Sequence, residues 1–354
     1  MPDAMTVVRL HAARDLRVAD EALPAAPGPG EVLLRVGAVG ICGSDLHTYE
    51  DGQIGGIQLQ TPLVLGHEFG GAVEFVHPGA RDGFGQPLHA GTCVAVDPAA
   101  PCGQCEHCQH GHPNLCPHVV FCGTWPHDGA MREWMIVPAR NCFPIPDAID
   151  DAEAGLLETL GVAVHAVDLA HVKTCDTAAV IGAGPIGLCI LQTLKAAGAS
   201  TVFVSDRLPW RLKLAEQLGG VPVNFEQHDP VQFIHTQTQG RGVDVALEAA
   251  WSDHSIQQAV DIARIGGRLV IVGISSNDTI TFNHAAARRK GLSIMLCRRM
   301  KHVYPRAIDL VLSGRVDLRS LVSHRLPLRD AAEAFKQNAR YEPGVVKIVL
   351  NVAR

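Results

Sequence analysis

Short apolar stretches recur along the second half of the chain and alternate with amphipathic stretches of helical length. The apolar stretches cover 177–181, 201–205, 221–225, 243–247, 268–273 and 292–297. Regular alternation of buried strands with helices predicts a parallel sheet that has helices on both faces. We therefore expect a doubly wound α/β unit over about residues 175–297.

The first 90 or so residues have a different pattern, in which Gly and Pro interrupt short apolar runs. One strand candidate covers 31–39 and follows a Pro-Gly-Pro-Gly turn at 27–30. Nothing in this region resembles a helical repeat. The pattern predicts a small β-rich domain ahead of the α/β unit.

The length and composition fit an ordinary globular protein with two domains. The chain has 354 residues, of which 47% are hydrophobic and 19% are charged. A net charge of −6 with no basic run argues against nucleic acid or an anionic membrane as a partner. The first twenty residues contain six charged residues, and no apolar run is long enough to span a bilayer. We therefore expect a cytosolic protein.

A glycine-rich turn follows the strand candidate at 177–181 and opens a helical segment that runs to about residue 197. Gly182 allows a tight turn, Gly184 leaves room for a pyrophosphate, and Gly187 lets the helix pack against the sheet. Pro185 and Ile186 form the first turn of that helix, whose free N–H groups attract phosphate. These five residues predict a dinucleotide site.

Asp206 ends the next apolar run, where a carboxylate is expected to meet the adenosine ribose. A carboxylate hydrogen-bonds a free ribose diol and repels a ribose phosphate, which favours NAD over NADP. Arg207 and Arg211 follow closely and weaken this preference. Both are included among the cofactor-binding candidates, and their alternative roles are a solvated helix start or a lid over the adenine.

The eleven cysteines are expected to be thiols or metal ligands, because a reducing compartment disfavours disulfides. Cys102, Cys105, Cys108 and Cys116 lie within fifteen residues of a polar, Gly- and Pro-rich lobe. This spacing predicts a closed tetrahedral zinc site, which holds shape and has no open position for chemistry. A redox role and a chance cluster are the alternatives.

Two further zinc-ligand candidates, Cys42 and His67, lie in glycine-flanked loops. A catalytic zinc ion needs three protein ligands and one position open to water or substrate, and thiolate and imidazole are ligands that it prefers. The alternatives are that Cys42 is a small buried hydrophobic residue and that His67 is a hydrogen-bonded core histidine.

The chain resembles the zinc-containing medium-chain alcohol dehydrogenases in three segments. In chain order these are 40–68, the four-cysteine lobe and the glycine turn. Segments 52–55, 121–129 and 322–328 are most similar to the sorbitol and xylitol dehydrogenase branch. The resemblance covers essentially the whole chain. It implies a GroES-like, β-rich catalytic domain over 1–158 and 300–354, with a structural zinc lobe at about 98–120. It also implies a Rossmann NAD-binding domain over 159–299, two zinc ions per subunit, and a homo-oligomer that is a dimer or a tetramer.

The resemblance leaves the third ligand of the catalytic zinc open between Glu68 and Glu158. Glu68 directly follows His67, whereas Glu158 lies in a segment that resembles the one which brings a glutamate to the metal in polyol dehydrogenases. The two carboxylates could exchange places during turnover. Thr159 stands where proline is usual in the family, and a helix-cap carboxylate is the alternative role for Glu158.

Ser44 and His47 match the proton relay of the family. The resemblance implies that the Ser44 hydroxyl contacts the alcohol and that the His47 imidazole passes the proton outward. On the sequence alone, His47 would be an ordinary loop histidine. The resemblance places Tyr49, Phe121 and Arg299 in the polyol-binding wall.

Met300 and His302, which are close to Arg299, differ from the family's usual residues, so the choice of polyol could differ too.

These features predict an enzyme that oxidises a secondary alcohol of a polyol to a ketone with zinc and NAD. Because zinc polarises the alcohol and the nicotinamide accepts the hydride, the metal at Cys42 and the turn at Gly182 are expected to face one cleft. A dehydrogenase of L-threonine or of a small butanediol-type alcohol is the alternative of the same reaction type. A non-catalytic NADH-binding protein is the alternative of another class.

Overall fold

The computed structural model describes residues 3–250, 252, 254–275 and 279–352. The chain forms two compact units. The first unit consists of Met1–Glu158, Tyr304–Leu312 and Leu318–Arg354, and the second consists of Thr159–Val303 and Ser313–Asp317.

The first unit is built mainly of short strands. Its strands before residue 150 are β1 (Ala4–Ala12), β2 (Asp15–Ala22), β3 (Glu31–Gly40), β4 (Gln53–Ile54), β5 (Ile57–Gln58), β6 (Leu63–Val64), β7 (Glu68–Val76), β8 (Cys93–Val96), β9 (Ala99–Ala100), β10 (Val120–Phe121), β11 (Trp134–Pro138) and β12 (Cys142–Pro144). The helices of this part are α1 (Gly43–Asp51), α2 (Glu106–Gln109) and α3 (Asp151–Leu169). Helix α3 continues from the first unit into the second.

The second unit alternates strands with helices. Its strands are β13 (Thr177–Ile181), β14 (Thr201–Asp206), β15 (Val221–Asn224), β16 (Val243–Glu248), β17 (Ala263–Ile271) and β18 (Ser293–Leu296). Its helices are α4 (Pro185–Ala196), α5 (Pro209–Gln217), α6 (Pro230–Gln237), α7 (Ser255–Ile262) and α8 (His284–Lys290). The six predicted strands are confirmed, and most of their ends shift by only one or two residues.

Within the described residues, the strands of the second unit form one parallel sheet in the order β15-β14-β13-β16-β17-β18. The strand order reverses between β13 and β16. In open parallel sheets, ligands bind at the carboxyl ends of the strands near such a reversal. The glycine turn after β13 lies at that point.

The end of the chain returns to the first unit. Its elements are α9 (Tyr304–Leu312), β19 (Val322–Pro327), α10 (Ala331–Ala339) and β20 (Lys347–Asn351). In the part of the chain that the structure describes, the main sheet of the first unit has the order β12-β8-β7-β3-β20-β19, and β11 also pairs with β3. The last strand therefore lies in the middle of this sheet, with β3 between it and β7.

Each unit has its own hydrophobic core, as expected for two domains. The predicted architecture is confirmed: a β-rich domain and a doubly wound domain with a parallel sheet. None of the helices in the described residues combines the length and the apolar character that a membrane crossing needs.

Candidate metal and cofactor sites

The four-cysteine lobe brings its sulfur atoms together around the short helix α2. The Sγ atoms of Cys102, Cys105, Cys108 and Cys116 all lie within 4.8 Å of one another. Backbone N–H groups of Gln104 and Cys105 lower the pKa of the Cys102 thiol, which favours the thiolate that binds metal. Four sulfur donors at this spacing fit a closed structural zinc site.

Cys42, Ser44 and His67 come together near the start of α1. Cys42 is the N-cap of α1, and His67 directly precedes β7. The Ser44 hydroxyl oxygen lies 3.3 Å from His67 Nε2. The Phe121 ring centroid lies 5.3 Å from that of His67, so this predicted substrate contact is close to the predicted metal ligand.

Asp45 contacts the segments that carry both predicted ligands, although it was not among the site residues predicted from the sequence. Its carboxylate accepts the backbone N–H groups of Cys42 at 3.0 Å and Gly66 at 3.2 Å, and it lies 3.5 Å from His67 Nδ1. The signal that could have identified it is a carboxylate three residues after the helix N-cap, which is the capping-box position.

Glu158 is buried on α3 in the same unit. Burial raises the pKa of its carboxyl to about 7, and the charge of Glu68 adds to the rise while His67 opposes it. Burial alone would lower the pKa of His67, but Asp45 and Cys42 raise it well above the ordinary value. The raised pKa of Glu158 favours its neutral form, whereas the raised pKa of His67 favours its charged form.

This donor set fits a catalytic zinc ion. A thiol, an imidazole and a carboxyl group are ligands that zinc prefers. Among the described residues, only the four-cysteine lobe has three or more ligand atoms within 4.8 Å of one another, so Cys42, His67 and Glu158 are spaced more widely. Their assignment as ligands stays a prediction.

Glu68 has a different partner from the one expected. Lys347 Nζ donates to both carboxylate oxygens of Glu68, at 2.6 and 2.7 Å, and to the carbonyl of Ile41 at 3.1 Å. Both side chains are at most 2% exposed. A zinc-ligand role for Glu68 would require its carboxylate to leave Lys347.

The sheet explains how this pair forms across three strands. Gly40 on β3 pairs with Glu68 on β7 and with Val349 on β20. A Cβ at position 40 would overlap Glu68 Oε2, so glycine there leaves room for the carboxylate to reach Lys347. The sequence signal for Lys347 was a single cation in an otherwise apolar strand.

His47 and Tyr49 both lie on α1 but have different surroundings. His47 is buried, and its Nδ1 lies 3.7 Å from a carboxylate oxygen of Asp51, whose side chain is 53% exposed. Tyr49 is part of the hydrophobic core, with its ring centroid 5.0 Å from that of Phe335. Its predicted place in the substrate wall remains a prediction.

The glycine turn of the second unit has the geometry that the motif predicts. Gly182 has φ +104°, and a Cβ there would lie 2.7 Å from the Ala249 carbonyl oxygen. A Cβ at Gly187 would overlap the Gly182 carbonyl oxygen. Gly184 is the N-cap of α4, and Pro185 and Ile186 form the first turn of that helix. The helix N-terminus is thus available to phosphate.

Asp206 braces this turn. One carboxylate oxygen accepts the Ala183 N–H at 2.7 Å, and the other accepts the N–H groups of Arg207 and Leu208. Arg211 is buried, and its Nη1 lies 3.8 Å from the position that a Cβ would take at Gly184. Arg207 is exposed. Their contacts with a cofactor remain predictions.

Arg299 lies in the loop after β18, with its backbone in the left-handed region at φ +54°. It belongs to the second unit, whereas Phe121 and Tyr49 belong to the first. Its predicted contact with substrate remains a prediction.

Two family models match the chain. The alcohol dehydrogenase GroES-like domain matches residues 28–147, and the zinc-binding dehydrogenase domain matches residues 185–313. The sorbitol dehydrogenase of Bacillus subtilis is 36% identical over 99% of this chain and 98% of its own length. The human sorbitol dehydrogenase is 37% identical over 95% of this chain and 92% of its own length.

Solved structures with the same fold have several substrates in their names. A short chain alcohol dehydrogenase of Escherichia coli CFT073, complexed with NADH, has a TM-score of 0.88 at 30% identity and covers 99% of this chain and 100% of its own. The 2R,3R-butanediol dehydrogenase of B. subtilis has a TM-score of 0.86 at 31% identity, and the match covers 98% of this chain and 99% of its own. The galactitol-1-phosphate dehydrogenase of E. coli has a TM-score of 0.88 at 27% identity, with 98% and 99% covered.

Proposed function

The chain belongs to the family of zinc-binding alcohol dehydrogenases, and from this premise we propose that it oxidises a secondary alcohol of a polyol to a ketone with zinc and NAD. The observation that carries the proposal is that Cys42 and the buried His67 and Glu158 belong to one unit, with the Ser44 hydroxyl 3.3 Å from His67. Relatives named sorbitol dehydrogenase and D-xylulose reductase support the polyol class.

Cys42, His67 and Glu158 would hold the catalytic zinc, and the four-cysteine lobe would hold a second, structural ion. When bound, the catalytic zinc lowers the pKa of the alcohol oxygen as a Lewis acid, and NAD accepts the hydride. Asp45 orients the site, because its carboxylate holds the Cys42 backbone and faces His67 Nδ1. Lys347 holds the charged Glu68 beside these ligands.

The residues of α1 provide a route for the alcohol proton. Ser44 and His47 are three residues apart on α1 and therefore lie on the same face of the helix. The Ser44 hydroxyl would accept the alcohol proton at Oγ while it releases its own proton, and the His47 imidazole would take up that released proton and pass one on toward Asp51. Because the Asp51 side chain is half-exposed, the proton would leave to solvent there.

NAD is the proposed cofactor. Support comes from the Asp206 carboxylate at the end of β14, which would repel a ribose phosphate. Arg207 and Arg211 are the residues that could offset this preference.

Assembly into a homo-oligomer also stays a prediction. In the described residues β18 is an edge strand whose Leu296 has 70% of its surface exposed, and an open strand edge can pair with a second copy of the chain. Light scattering of the purified protein would give the subunit number.

The experiment that tests the function is an oxidation panel of xylitol, sorbitol, 2,3-butanediol and L-threonine with NAD and NADP. Formation of reduced nicotinamide is followed by absorbance, and zinc is measured on the same sample. We expect two zinc ions per chain and turnover of the polyols with NAD. Turnover of threonine or butanediol alone would favour the alternative, and a zinc-loaded protein that binds NADH but oxidises no alcohol would refute the proposal.

A further inference from the structure

The buried carboxyl group of Glu248 has no role in the chemistry proposed above. Glu248 ends β16 and is 1% exposed. In the parallel sheet it pairs with Ile181 of β13 on one side and with Ile271 of β17 on the other. It therefore lies at the carboxyl edge of the sheet, beside the strand that leads into the glycine turn. Because a buried carboxylate lowers stability unless hydrogen-bond donors replace the lost water, its donors indicate what it holds in place.

The Glu248 side chain contacts the segments that follow two neighbouring strands. Its Oε1 accepts the Ala250 N–H and the Ser255 hydroxyl, each at 2.8 Å, and Ser255 is the first residue of α7. The Gly273 N–H, which follows β17, donates to the Glu248 carbonyl at 3.1 Å. A Cβ at position 273 would lie 2.7 Å from Glu248 Oε2, so glycine there lets the second segment approach the carboxylate.

The surroundings of this side chain suit a group that only accepts hydrogen bonds. Burial raises the pKa of the Glu248 carboxyl, whereas donors from Ser255, Ala250 and Gly273 lower it. A carboxylate has two accepting oxygens, but the amide of glutamine has one accepting oxygen and a donating NH2 group. In either orientation, glutamine at this position would place the NH2 group near a backbone N–H of Ala250 or Gly273. The site is thus built for a carboxylate.

One peptide group connects Glu248 with the glycine turn. The N–H that Oε1 accepts belongs to the peptide bond between Ala249 and Ala250. The carbonyl oxygen of the same peptide bond would lie 2.7 Å from a Cβ at Gly182. Because a peptide group is planar and rigid, a side chain that fixes its N–H also fixes the direction of its carbonyl. The position of this peptide group therefore limits where the first glycine of the turn can lie.

The conformation of the glycine turn decides how well it can bind phosphate. Gly182 has φ +104°, which only glycine adopts readily, and Gly184 is the N-cap of α4. The free N–H groups at the start of a helix bind a pyrophosphate when the turn before the helix directs them at it. Binding sites depend on supporting residues that keep such groups in place without contacting the ligand. Glu248 has the contacts of such a supporting residue.

We propose that Glu248 is a positioning residue of the cofactor site. Its carboxylate holds the peptide group between Ala249 and Ala250 with the carbonyl against Gly182, and this contact keeps the glycine turn in the conformation that binds the pyrophosphate of NAD. The inference rests on the NAD-dependent function proposed above, and it adds a residue that acts on the cofactor only through the turn.

The test uses Glu248→Gln, which keeps the size of the side chain and turns one acceptor into a donor. Equilibrium titrations measure the Kd of ADP-ribose, which contains the pyrophosphate, and of adenosine, which lacks it. We expect the Kd of ADP-ribose to rise about tenfold and that of adenosine to change by less than about twofold. In turnover, KM for NAD should rise by a similar factor while kcat stays within about twofold. Partial loss of folded protein would instead lower kcat and leave both Kd values unchanged.

Asp244→Asn is the matched control, because Asp244 is a buried carboxylate on the same strand but near its amino end. Asp244 accepts the Thr177 N–H at 3.0 Å and pairs with Arg264 at 2.6 Å. The control should lower the midpoint of thermal unfolding and leave the Kd of ADP-ribose within about twofold. Ser255→Ala removes one donor to Glu248 Oε1 and should raise the Kd of ADP-ribose about threefold, whether or not the Glu248→Gln variant folds.

The outcomes separate this inference from the proposed function. If Glu248→Gln and Ser255→Ala bind ADP-ribose as tightly as the parent, the positioning role is refuted while the NAD-dependent function stands. If Asp244→Asn weakens ADP-ribose binding to the same extent, a general loosening of the second unit explains the effect and the assignment to Glu248 fails. If the parent binds neither ADP-ribose nor NADH, the proposed function is refuted, and the positioning role with it.

Discussion

Replacing Lys347 by Met should destabilise the protein far more than the loss of an ordinary surface charge. Lys347 Nζ makes three short contacts, two with Glu68 and one with the Ile41 carbonyl. Burial alone would lower the pKa of Lys347, but the adjacent Glu68 carboxylate raises it overall, so the lysine stays charged. Met has a similar length and leaves the Glu68 carboxylate buried without its cation.

The expected loss is about 3–5 kcal/mol in the free energy of unfolding, which is the usual cost of removing one partner of a buried ion pair.

The assay is guanidinium unfolding followed by tryptophan fluorescence, with zinc at the same concentration in every sample. The double variant Glu68→Gln with Lys347→Met removes both charges. Its loss of unfolding free energy should therefore be smaller than the sum of the losses of the two single variants. Arg17→Gln is the matched control. Its partner Asp15 is 2.6 Å away, but the two side chains are 61% and 38% exposed, so we expect almost no change in the free energy of unfolding.

The reasoning fails if K347M lowers the free energy of unfolding by less than about 1 kcal/mol, or by no more than the Arg17 control does. Either result would show that the Glu68–Lys347 pair is not shielded from water as its burial indicates. Strict additivity in the double variant would show that the two side chains do not interact. Either result would refute the reasoning from the contact distances.

Three further predictions test the sites. Cys42→Ala should abolish turnover and leave NADH binding nearly intact in a fluorescence titration, and activity that persists would exclude zinc at Cys42 as the Lewis acid. Asp206→Gly should raise the ratio of kcat/KM with NADP to kcat/KM with NAD. It should also weaken the binding of both cofactors, because the glycine turn loses the acceptor of the Ala183 N–H. An unchanged ratio would show that the neighbouring arginines, and not Asp206, set the cofactor preference. Burial raises the pKa of Glu248 to about 6, above its value of about 4.3 in an unfolded chain, although Ser255 hydrogen-bonds to it. The stabilisation from this carboxyl is thus present below about pH 4.3 and is lost as pH rises through about 6. The free energy of unfolding of the Glu248→Gln variant should therefore rise by about 2 kcal/mol relative to that of the parent between pH 4 and pH 7. A difference between the two proteins that does not change with pH in unfolding titrations would contradict the raised pKa.

Features that depend on a few neighbouring residues could be predicted from the sequence. The parallel sheet of the second unit follows from its alternating strands and helices, and the glycine turn has the backbone that its spacing requires. The cysteine lobe also formed as predicted, because four sulfur atoms within fifteen residues can meet with little help from the rest of the fold.

Features that depend on distant contacts could not be predicted. The Tyr49 ring packs against Phe335, which lies far along the chain, and no pattern near α1 indicates this contact. The Asp206 carboxylate accepts the Ala183 N–H, because the chain after β13 passes beside the end of β14. The roles of both residues toward substrate and cofactor remain predictions.

The sequence by itself determined the fold class, the metal lobe and the dinucleotide turn, because each is specified by local spacing and by hydrophobic pattern. The tertiary structure alone decided which charges meet. Glu68 and Lys347 are 279 residues apart, and they form a pair because β3 lies between their strands and has no side chain at Gly40. No local rule encodes that contact, since it exists only after the last strand has entered the middle of the first sheet.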